Sequence, residues 1–298
     1  MEIQQLKGFL SVAKYKGFSQ AAEKTFRTQP AVSLQIQSLE KELDVKLFDR
    51  LGARKVVLTN EGKILFDLVS PLLDDISTLS ARFNEACGNT QKGSIRIVTH
   101  TSVMVYLLPE IIKLFKKKFP ECELAIVNRG RRDIISMLND GEADIGITSL
   151  SAVPGTVEYR VFARFNRILI TAKGHPLSKK QIIKPEDIAA YPLLIPPQGT
   201  NTRTIIDRVF EQKSLKYTIA MEITGREAVK TYVEMGLGIA VINEYYLTKE
   251  DKKNLFIKDV SRYFGQAERG ILTRKGKYLS AAVKELISTA LRQSNRLR

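Results

Sequence analysis

The sequence predicts two fold classes in one chain: an N-terminal all-α winged helix-turn-helix domain followed by a C-terminal α/β domain. Three observations support this prediction. A helix-turn-helix pattern lies between Phe18 and Arg50, a long helix with an apolar stripe follows Thr59, and short strands alternate with helices from Ser94 onward. Such alternation is typical of sheets that are covered by helices.

The length and composition limit the class of protein. The chain has 298 residues, which indicates two or three domains. It has no run of about 18 apolar residues and no signal-peptide pattern, so no membrane span or export is predicted. Its two cysteines, Cys87 and Cys122, lack the spacing of metal ligands or of a disulfide framework. We therefore expect a cytoplasmic protein without metal or cofactor.

The formal net charge of the chain is +15, and most of the excess lies outside the helix-turn-helix part. Residues 91–298 hold 35 basic and 21 acidic side chains, whereas residues 1–60 hold 10 and 6. Long-range attraction to DNA, an anionic small ligand and a lysine-rich surface without special function each account for this excess.

Two short helices are predicted after a first helix that ends at Gly17. Ser19 is expected to cap the first of them, and Ala22 lets the two helices cross closely. Thr28 is expected to cap the second, with Pro30 where the missing N–H of proline costs nothing. The apolar face of the second helix is predicted to comprise Ala31, Leu34, Ile36, Leu39 and Leu43.

The opposite face of the second helix carries uncharged polar side chains, which can read base edges in a major groove. The alternative is an ordinary helical hairpin with a solvated polar face. Cations of the following turn and wing suit phosphates or the minor groove, although a solvated turn also carries cations. The residues predicted to contact DNA are Ser19, Arg27, Thr28, Gln29, Pro30, Ser33, Gln35, Gln37, Arg50, Arg54 and Lys55.

A long helix is predicted from Thr59 to near Gly88, with Pro71 as a possible kink. Its stripe, at nearly coiled-coil spacing, comprises Leu65, Leu68, Leu72, Ile76, Leu79 and Phe83. An apolar stripe of this length needs a partner, and a second copy of the chain is the simplest one. The segment from Gly88 to Gly93 is predicted to be a linker.

Polar residues follow several strands of the predicted α/β domain. Thr99, His100, Thr101 and Ser102 end the first strand, Thr148 ends the third, and the loop with Thr200 and Thr202 precedes a helix. Ligands of parallel sheets bind beyond the carboxyl ends of strands, and helix N-termini favour anions. Ordinary helix capping explains any one of these residues, but three clusters in one cleft indicate a ligand site.

The ordered motifs F-S-x-A-A, T-Q-P-A-V-S, L-E, L-F-D-R and L-T-x-x-G, between Phe18 and Gly62, resemble those of the LysR-type transcriptional regulators. The resemblance implies a two-lobed, periplasmic-binding-protein-like effector domain. It also implies promoter DNA, a homo-oligomer and RNA polymerase as partners. The expected division is 1–58 for the DNA-binding domain, 59–90 for the linker helix and 91–298 for the effector domain, with lobe I at 91–162 and 266–298 and lobe II at 163–265.

Within that family, the stretches around Thr99, Phe165 and Val229 resemble the CysB-like, sulfur-assimilation branch. This resemblance implies a sulfate-like or acetylserine-like effector. Ser102 stands where that branch has Gln, and Phe165 where it commonly has Trp. The effector residues expected are Thr99, Thr101, Ser102, Thr148, Phe165, Thr200 and Thr202. A regulator of another pathway that senses an aromatic or organic acid is the alternative.

Two other function classes have less support. An enzyme is disfavoured because the chain has only two histidines and no nucleophile or phosphate-loop motif. A solute-binding protein for transport is disfavoured by the helix-turn-helix pattern. The sequence therefore predicts a DNA-binding regulator that a small anion controls.

Overall fold

The computed structural model describes residues 1–51, 55–88, 93–150 and 152–293. Three helices and a two-stranded hairpin form the N-terminal domain, whose core packs the ring of Phe9 5.4 Å from that of Phe48. The helices are α1 (Ile3–Tyr15), α2 (Phe18–Lys24) and α3 (Gln29–Leu43), and the strands are β1 (Phe48–Leu51) and β2 (Lys55–Leu58).

The caps and faces of these helices agree only in part with the prediction. Thr28 caps α3 by accepting a hydrogen bond from the Ala31 N–H at 3.4 Å, which confirms its predicted role. The prediction for Ser19 is wrong, because α2 begins one residue earlier and Gly17 occupies the N-cap. The predicted apolar face of α3 is also partly wrong, since Leu34 is 65% exposed. The residues of α3 that are buried are Val32, Ile36 and Leu39.

The linker helix α4 (Asn60–Ala86) runs without a break through Pro71, and the Thr59 side chain caps it by accepting from the Gly62 N–H at 2.9 Å. One face of α4 packs on the core of the N-terminal domain through Leu65, Phe66, Val69 and Leu73. Leu65 therefore does not belong to the free stripe that was predicted. The exposed apolar residues of α4, called here the α4 stripe, are Ile64, Leu68, Leu72, Ile76, Leu79 and Phe83.

Lobe I is built on a five-stranded sheet of order β4-β3-β5-β12-β6. Strands β3, β4 and β5 are parallel, as predicted, whereas β12 runs antiparallel to both of its neighbours. The strands are β3 (Ser94–Thr99), β4 (Glu123–Asn128), β5 (Ile145–Thr148), β6 (Val157–Phe165) and β12 (Ala267–Arg274). The helices of this lobe are α5 (Thr101–Tyr106), α6 (Leu108–Lys118), α7 (Arg131–Asn139) and α13 (Ala281–Gln293).

Lobe II departs from the predicted parallel arrangement. Its three-stranded sheet, β10-β7-β11, is antiparallel, and only the small sheet of β8 and β9 is parallel. The strands are β7 (Arg167–Ala172), β8 (Leu193–Ile195), β9 (Ile219–Glu222), β10 (Ala240–Asn243) and β11 (Leu255–Asp259). The α-helices are α8 (Pro185–Ala189), α9 (Asn201–Gln212), α10 (Arg226–Glu234), α11 (Asp251–Asn254) and α12 (Ser261–Phe264).

The chain crosses between the lobes at Asn166 and again near Gln266. One arginine joins the two crossings, because Nη1 of Arg167 donates to the carbonyl of Phe264 at 2.6 Å and to that of Gln266 at 3.1 Å. The side chains of Gln266 and Asn166 also bond to each other at 2.8 Å. These contacts join the two crossings at the hinge between the lobes.

The far half of α4 contacts lobe I of the same chain. Glu85 accepts a hydrogen bond from the hydroxyl of Tyr278 at 2.5 Å and from the backbone N–H of Ala281, at the start of α13, at 2.6 Å. Asp74 forms an ion pair with Arg274 at the end of β12. The linker helix therefore carries the N-terminal domain at one end and lobe I at the other. No helix in the described ranges is both long and apolar enough to cross a membrane.

Candidate functional site

The first candidate site is the outer face of α3 in the N-terminal domain. Thr28, Gln29 and Gln37 are exposed, and Ser33 is half-buried. Gln35 is turned away from this face, because its Oε1 lies against α1, where a Cβ on Gly8 would come within 2.7 Å of it. That oxygen is buried and has no hydrogen-bond partner among the described residues. Leu34 stands among the exposed polar residues instead, which the apolar spacing did not indicate.

The flanking residues of this face are placed only in part. Ser19, Arg27 and Pro30 are exposed, and the Arg27 guanidinium donates to Oε1 of Gln4 at 2.6 Å. Arg54 and the side chains of Arg50 and Lys55 lie outside the part of the chain that the structure describes. Among the predicted cations, Arg27 is therefore the one that the structure places beside the polar face of α3.

The second candidate site is a cavity of about 480 Å³ between the lobes. The carboxyl ends of the lobe I strands and the start of α9 border it. Four predicted residues line it: Thr101, Ser102, Thr200 and Thr202. Three others do not belong to its lining, namely Thr99, Thr148 and Phe165.

Hydrogen bonds inside lobe I explain why Thr99 and Thr148 stay out of the cavity. The hydroxyl of Thr99 donates to the carbonyl of Ile147 at 2.7 Å, and its side chain is fully buried. The hydroxyl of Thr148 lies 2.9 Å from Nε2 of His100, which itself lines the cavity. Phe165 packs in the core with its ring 4.5 Å from that of Tyr245. The predicted threonines therefore do not converge as one set of donors.

Arginines are the main feature of the cavity, whereas the sequence had indicated only Arg203 or Arg226 as basic side chains near the expected site. The four that line it are Arg131, Arg167, Arg226 and Arg269. Among the described residues, no aspartate or glutamate lines it. A fifth arginine, Arg203, does not line the cavity. It forms ion pairs with Asp207 at 2.9 Å and with Glu222 at 3.2 Å. The four lie far apart in sequence, so no local motif could have grouped them.

Arg269 and Arg226 enclose the phenol of Tyr246. Nη2 of Arg269 donates to the hydroxyl of Tyr245 at 2.7 Å and lies 3.5 Å from that of Tyr246. The Arg226 guanidinium lies 4.5 Å from the centre of the Tyr246 ring, and its Nε is buried without a partner in the described chain. Arg269 is only 8% exposed. Among the described residues, all of its hydrogen-bond partners are neutral: the Tyr245 hydroxyl and the Glu268 carbonyl, with the Tyr246 hydroxyl at 3.5 Å. Such a charge is costly unless an anion joins it.

Four arginines and no carboxylate in the described lining make the cavity positive, and this charge adds to the effect of burial on the pKa values of nearby groups. Burial, reinforced by Arg269, Arg226 and Arg131, lowers the pKa of His100 to about 4. Burial and the charge of Arg269 lower the pKa of Arg167 to about 10. Burial raises the pKa of the Tyr246 phenol, but the charges of Arg226 and Arg269 outweigh it, so the net shift is downward. His100 is therefore neutral near pH 7 and cannot serve as a cation.

Two family models match the chain. Residues 3–63 match the bacterial regulatory helix-turn-helix protein of the lysR family, and residues 88–295 match the LysR substrate binding domain. The HTH-type transcriptional regulator cbl of Escherichia coli (strain K12) is 33% identical over 89% of this chain and 84% of its own length. The HTH-type transcriptional regulator CysB of Burkholderia cenocepacia is 28% identical over 90% and 86%.

Solved structures agree with these matches. The cofactor-binding domain of the Cbl transcriptional regulator aligns with a TM-score of 0.63 at 29% identity, covering 67% of this chain and 88% of that domain. A full-length OxyR from Pseudomonas aeruginosa aligns with a TM-score of 0.71 at 21% identity, over 98% of both chains. The second likeness concerns the fold alone. Together with the sheets described above, these findings confirm the predicted two-lobed α/β fold behind a helix-turn-helix domain.

The depressed pKa of His100 predicts an acid-dependent loss of stability. The unfolded chain protonates this histidine near pH 6.5, whereas the folded chain does so only near pH 4. Stability from the neutral ring is thus complete above pH 6.5 and is lost as the pH falls toward 4. When the pH falls from 7 to 4.5, the free energy of unfolding of the wild type should decrease by about 2 kcal/mol more than that of His100→Gln, after allowance for solvent screening.

Urea unfolding at the two pH values measures this difference. His175→Gln is the matched control, because His175 is less buried and does not line the cavity. Equal losses in the wild type and His100→Gln would show that the pKa of His100 is not lowered in the folded chain.

Proposed function

The chain belongs to the LysR family of bacterial transcriptional regulators, and on this premise we propose that it binds promoter DNA as a homo-oligomer whose DNA binding changes when a small anion fills the cleft between its lobes. The observation that carries the proposal is the cavity with four arginines and no carboxylate in its described lining. An effector that binds two arrangements of the protein with different affinity shifts the balance between them.

The proposed division follows the sequence prediction: 1–58 binds DNA, 59–90 is the linker helix, and 91–298 binds the effector. One bound needs adjustment, because β6 stays in the lobe I sheet as far as Phe165, beyond the predicted 162. We place the protein in the cytoplasm, with RNA polymerase as a further partner and without catalysis of its own. The two relatives named above are transcriptional regulators by name.

DNA reading is assigned to the exposed residues at the start of α3. The Gln29 amide both donates and accepts, as bidentate pairing with an adenine edge requires. Thr28, Ser33 and Gln37 extend the same face, while Arg27 and the wing cations suit phosphates. A gel shift with a palindromic promoter fragment at rising salt tests the function as a whole, because phosphate contacts make binding salt-dependent.

Gln29→Ala should weaken binding to a duplex selected in vitro by about 1–3 kcal/mol and leave random-sequence DNA nearly unaffected. Gln35→Ala on the same helix is the matched control, because Gln35 faces α1 and should not alter sequence preference. Fluorescence anisotropy with both duplexes measures the ratio of the affinities for selected and random-sequence DNA. Equal weakening on both duplexes would show that Gln29 only contacts the backbone.

Assembly is assigned to the α4 stripe. Leu68 and Phe83 are each 66% exposed, and Leu79 is 62% exposed. An exposed apolar stripe that runs from Ile64 to Phe83 on one helix marks a surface that another protein surface covers. The opposite face of α4 already contacts the N-terminal domain and lobe I, so a second copy of the chain can cover the stripe without displacing either.

The double variant Leu72→Asp and Leu79→Asp should therefore sediment as a monomer and lose tight binding to paired half-sites. Ser77→Asp is the control, since it adds a charge at an exposed position of α4 outside the stripe. Analytical ultracentrifugation decides the outcome. Wild-type sedimentation of the double variant would remove α4 from the main interface.

The effector is assigned to the class of small anions. The resemblance to the CysB-like branch favours a sulfate-like or acetylserine-like molecule and a role in sulfur metabolism. The cavity also has an apolar wall that includes Leu194, Ile223, Val229 and Ile242. That wall favours the second candidate, a regulator of another pathway that senses an aromatic or organic acid.

Arg226→Gln should reduce anion affinity by about 1.5–3 kcal/mol, because each hydrogen bond to a charged group contributes that much. Thr101→Val, which keeps the shape and removes one hydroxyl, should cost less. Calorimetry on the full chain with sulfate, acetylserine, thiosulfate and benzoate makes the comparison. Arg132→Gln is the control, since Arg132 is exposed on the same helix as Arg131 and does not line the cavity.

The response to the four ligands separates the two candidates. A binding signal with benzoate alone favours a regulator that senses an aromatic acid. A binding signal with sulfate or acetylserine favours the effector class of the CysB-like branch. If Arg226→Gln binds each ligand as the wild type does, Arg226 does not hold the effector.

A further inference from the structure

The N-terminal domain contacts lobe I directly, through one lysine that the DNA-binding function leaves unexplained. Lys14, near the end of α1, forms an ion pair with Glu142 and lies 3.5 Å from the carboxylate of Asp140. Both acidic residues belong to the turn between α7 and β5 in lobe I. The contact joins residues 128 positions apart in the chain, so it is purely tertiary.

Solvent reaches this contact only in part. The side chains of Lys14 and Asp140 are 23% and 21% exposed. Burial by itself lowers the pKa of Lys14, but the bond to Glu142 and the charges of both carboxylates together raise it above the ordinary value. Lys14 is thus charged at neutral pH, and it lies between one partly buried carboxylate, Asp140, and a more exposed one, Glu142, which is 39% exposed.

The same turn is closely packed against the linker helix. Gly141 has a φ of +69°, and a Cβ at this position would lie 2.8 Å from Oδ1 of Asp74 in α4. Asp74 in turn pairs with Arg274, whose Nη1 lies 3.4 Å from the carbonyl of Asn139 at the end of α7. The turn therefore contacts both α1, through Lys14, and α4, through Asp74.

The turn is also connected to the cleft through α7. This helix begins at Arg131, which lines the cavity, and ends at Asn139, directly before the turn. Its nine residues span about 13 Å. Ile134 and Leu138 of α7 pack so closely on Gly146 of β5 that an added Cβ would lie 2.8 and 2.9 Å from them. The helix is therefore held rigidly in lobe I.

We propose that Lys14, Asp140 and Glu142 form a latch that fixes the N-terminal domain to lobe I and so sets the orientation in which the DNA-binding helix is presented. The proposal rests on the DNA-binding function proposed above. With the latch formed, a movement of lobe I carries the N-terminal domain along. Without it, only the packing on α4 guides that domain. Without the latch, an oligomer should bind two DNA half-sites less tightly, because fixing the orientation of each N-terminal domain on binding costs free energy.

Carbodiimide cross-linking tests the contact itself, since the reagent joins a lysine to a carboxylate only when the two touch. Full-length protein should yield a Lys14–Glu142 cross-link in peptide mass spectrometry. The pair Lys213–Glu186 in lobe II, at 2.7 Å, is the internal positive control. Recovery of the control cross-link without any link from Lys14 to Glu142 or Asp140 would overturn the proposal, whether or not the protein binds DNA.

A charge-exchange cycle tests the role of the contact. Two triple variants share the substitutions Asp140→Asn and Glu142→Lys in lobe I, and the first adds Lys14→Glu whereas the second adds Lys7→Glu. Both carry the same charges in each domain. Because Asp140→Asn removes the second carboxylate that faces position 14, only the first can form a pair across the interface. Lys7 is exposed on the same helix. Both variants are tested on a duplex that was selected in vitro with the wild type. The first variant should bind this duplex at least about fivefold more tightly than the second, which is the effect of a modest coupling free energy.

Equal affinities of the two variants would overturn the latch as an orienting device. A carbodiimide cross-link between positions 14 and 142 in the first variant checks that the exchanged pair has formed. Circular dichroism checks that both variants are folded, so that a difference in affinity reports on orientation.

Discussion

Burial of positive charge in the cleft is the constraint on which the rest of the effector domain depends. Arg167 and Arg269 are almost completely enclosed, and their partners are backbone carbonyls and phenol hydroxyls. Neutral partners accept hydrogen bonds from a guanidinium but leave its charge uncompensated. The consequences are visible in the neighbours, because His100 is kept neutral and the pKa of Tyr246 is lowered. An anion would complete this arrangement.

The side chains that create this charge also determine the shape of the molecule. Arg167 joins the two crossings between the lobes, so the hinge and the positive field share one residue. Arg269 lies on β12, and the last residue of the same strand, Arg274, holds the linker helix at Asp74. Arg131 and Asp140 lie at opposite ends of α7. α7 and β12 therefore connect the cleft with residues that contact the N-terminal domain and the linker helix, a geometry that suits control by an effector.

The two faces of the linker helix illustrate how far periodicity can be trusted. The spacing of apolar residues located the stripe correctly from Leu68 to Phe83. It misassigned Leu65, because that residue packs under the N-terminal domain while Ile64 is free. In α3, likewise, Leu34 fits an apolar pattern but lies on the surface, and Gln35 faces α1. A helix has one period but several possible partners, and only packing determines which face meets which partner.

Local chemistry was sufficient to predict the helix-turn-helix pattern, the cap at Thr28, the linker helix and, apart from α5, the order of strands and helices in lobe I. Each of these follows from neighbours within a few turns of chain, as do the motifs that indicate the family. Only the tertiary structure decided the site. The expected donors Thr99 and Thr148 are used up by hydrogen bonds within lobe I, because a buried hydroxyl must find a partner nearby. The four arginines come from separate elements, and electrostatic fields add in space without regard to sequence distance, so their convergence is visible only in the folded chain.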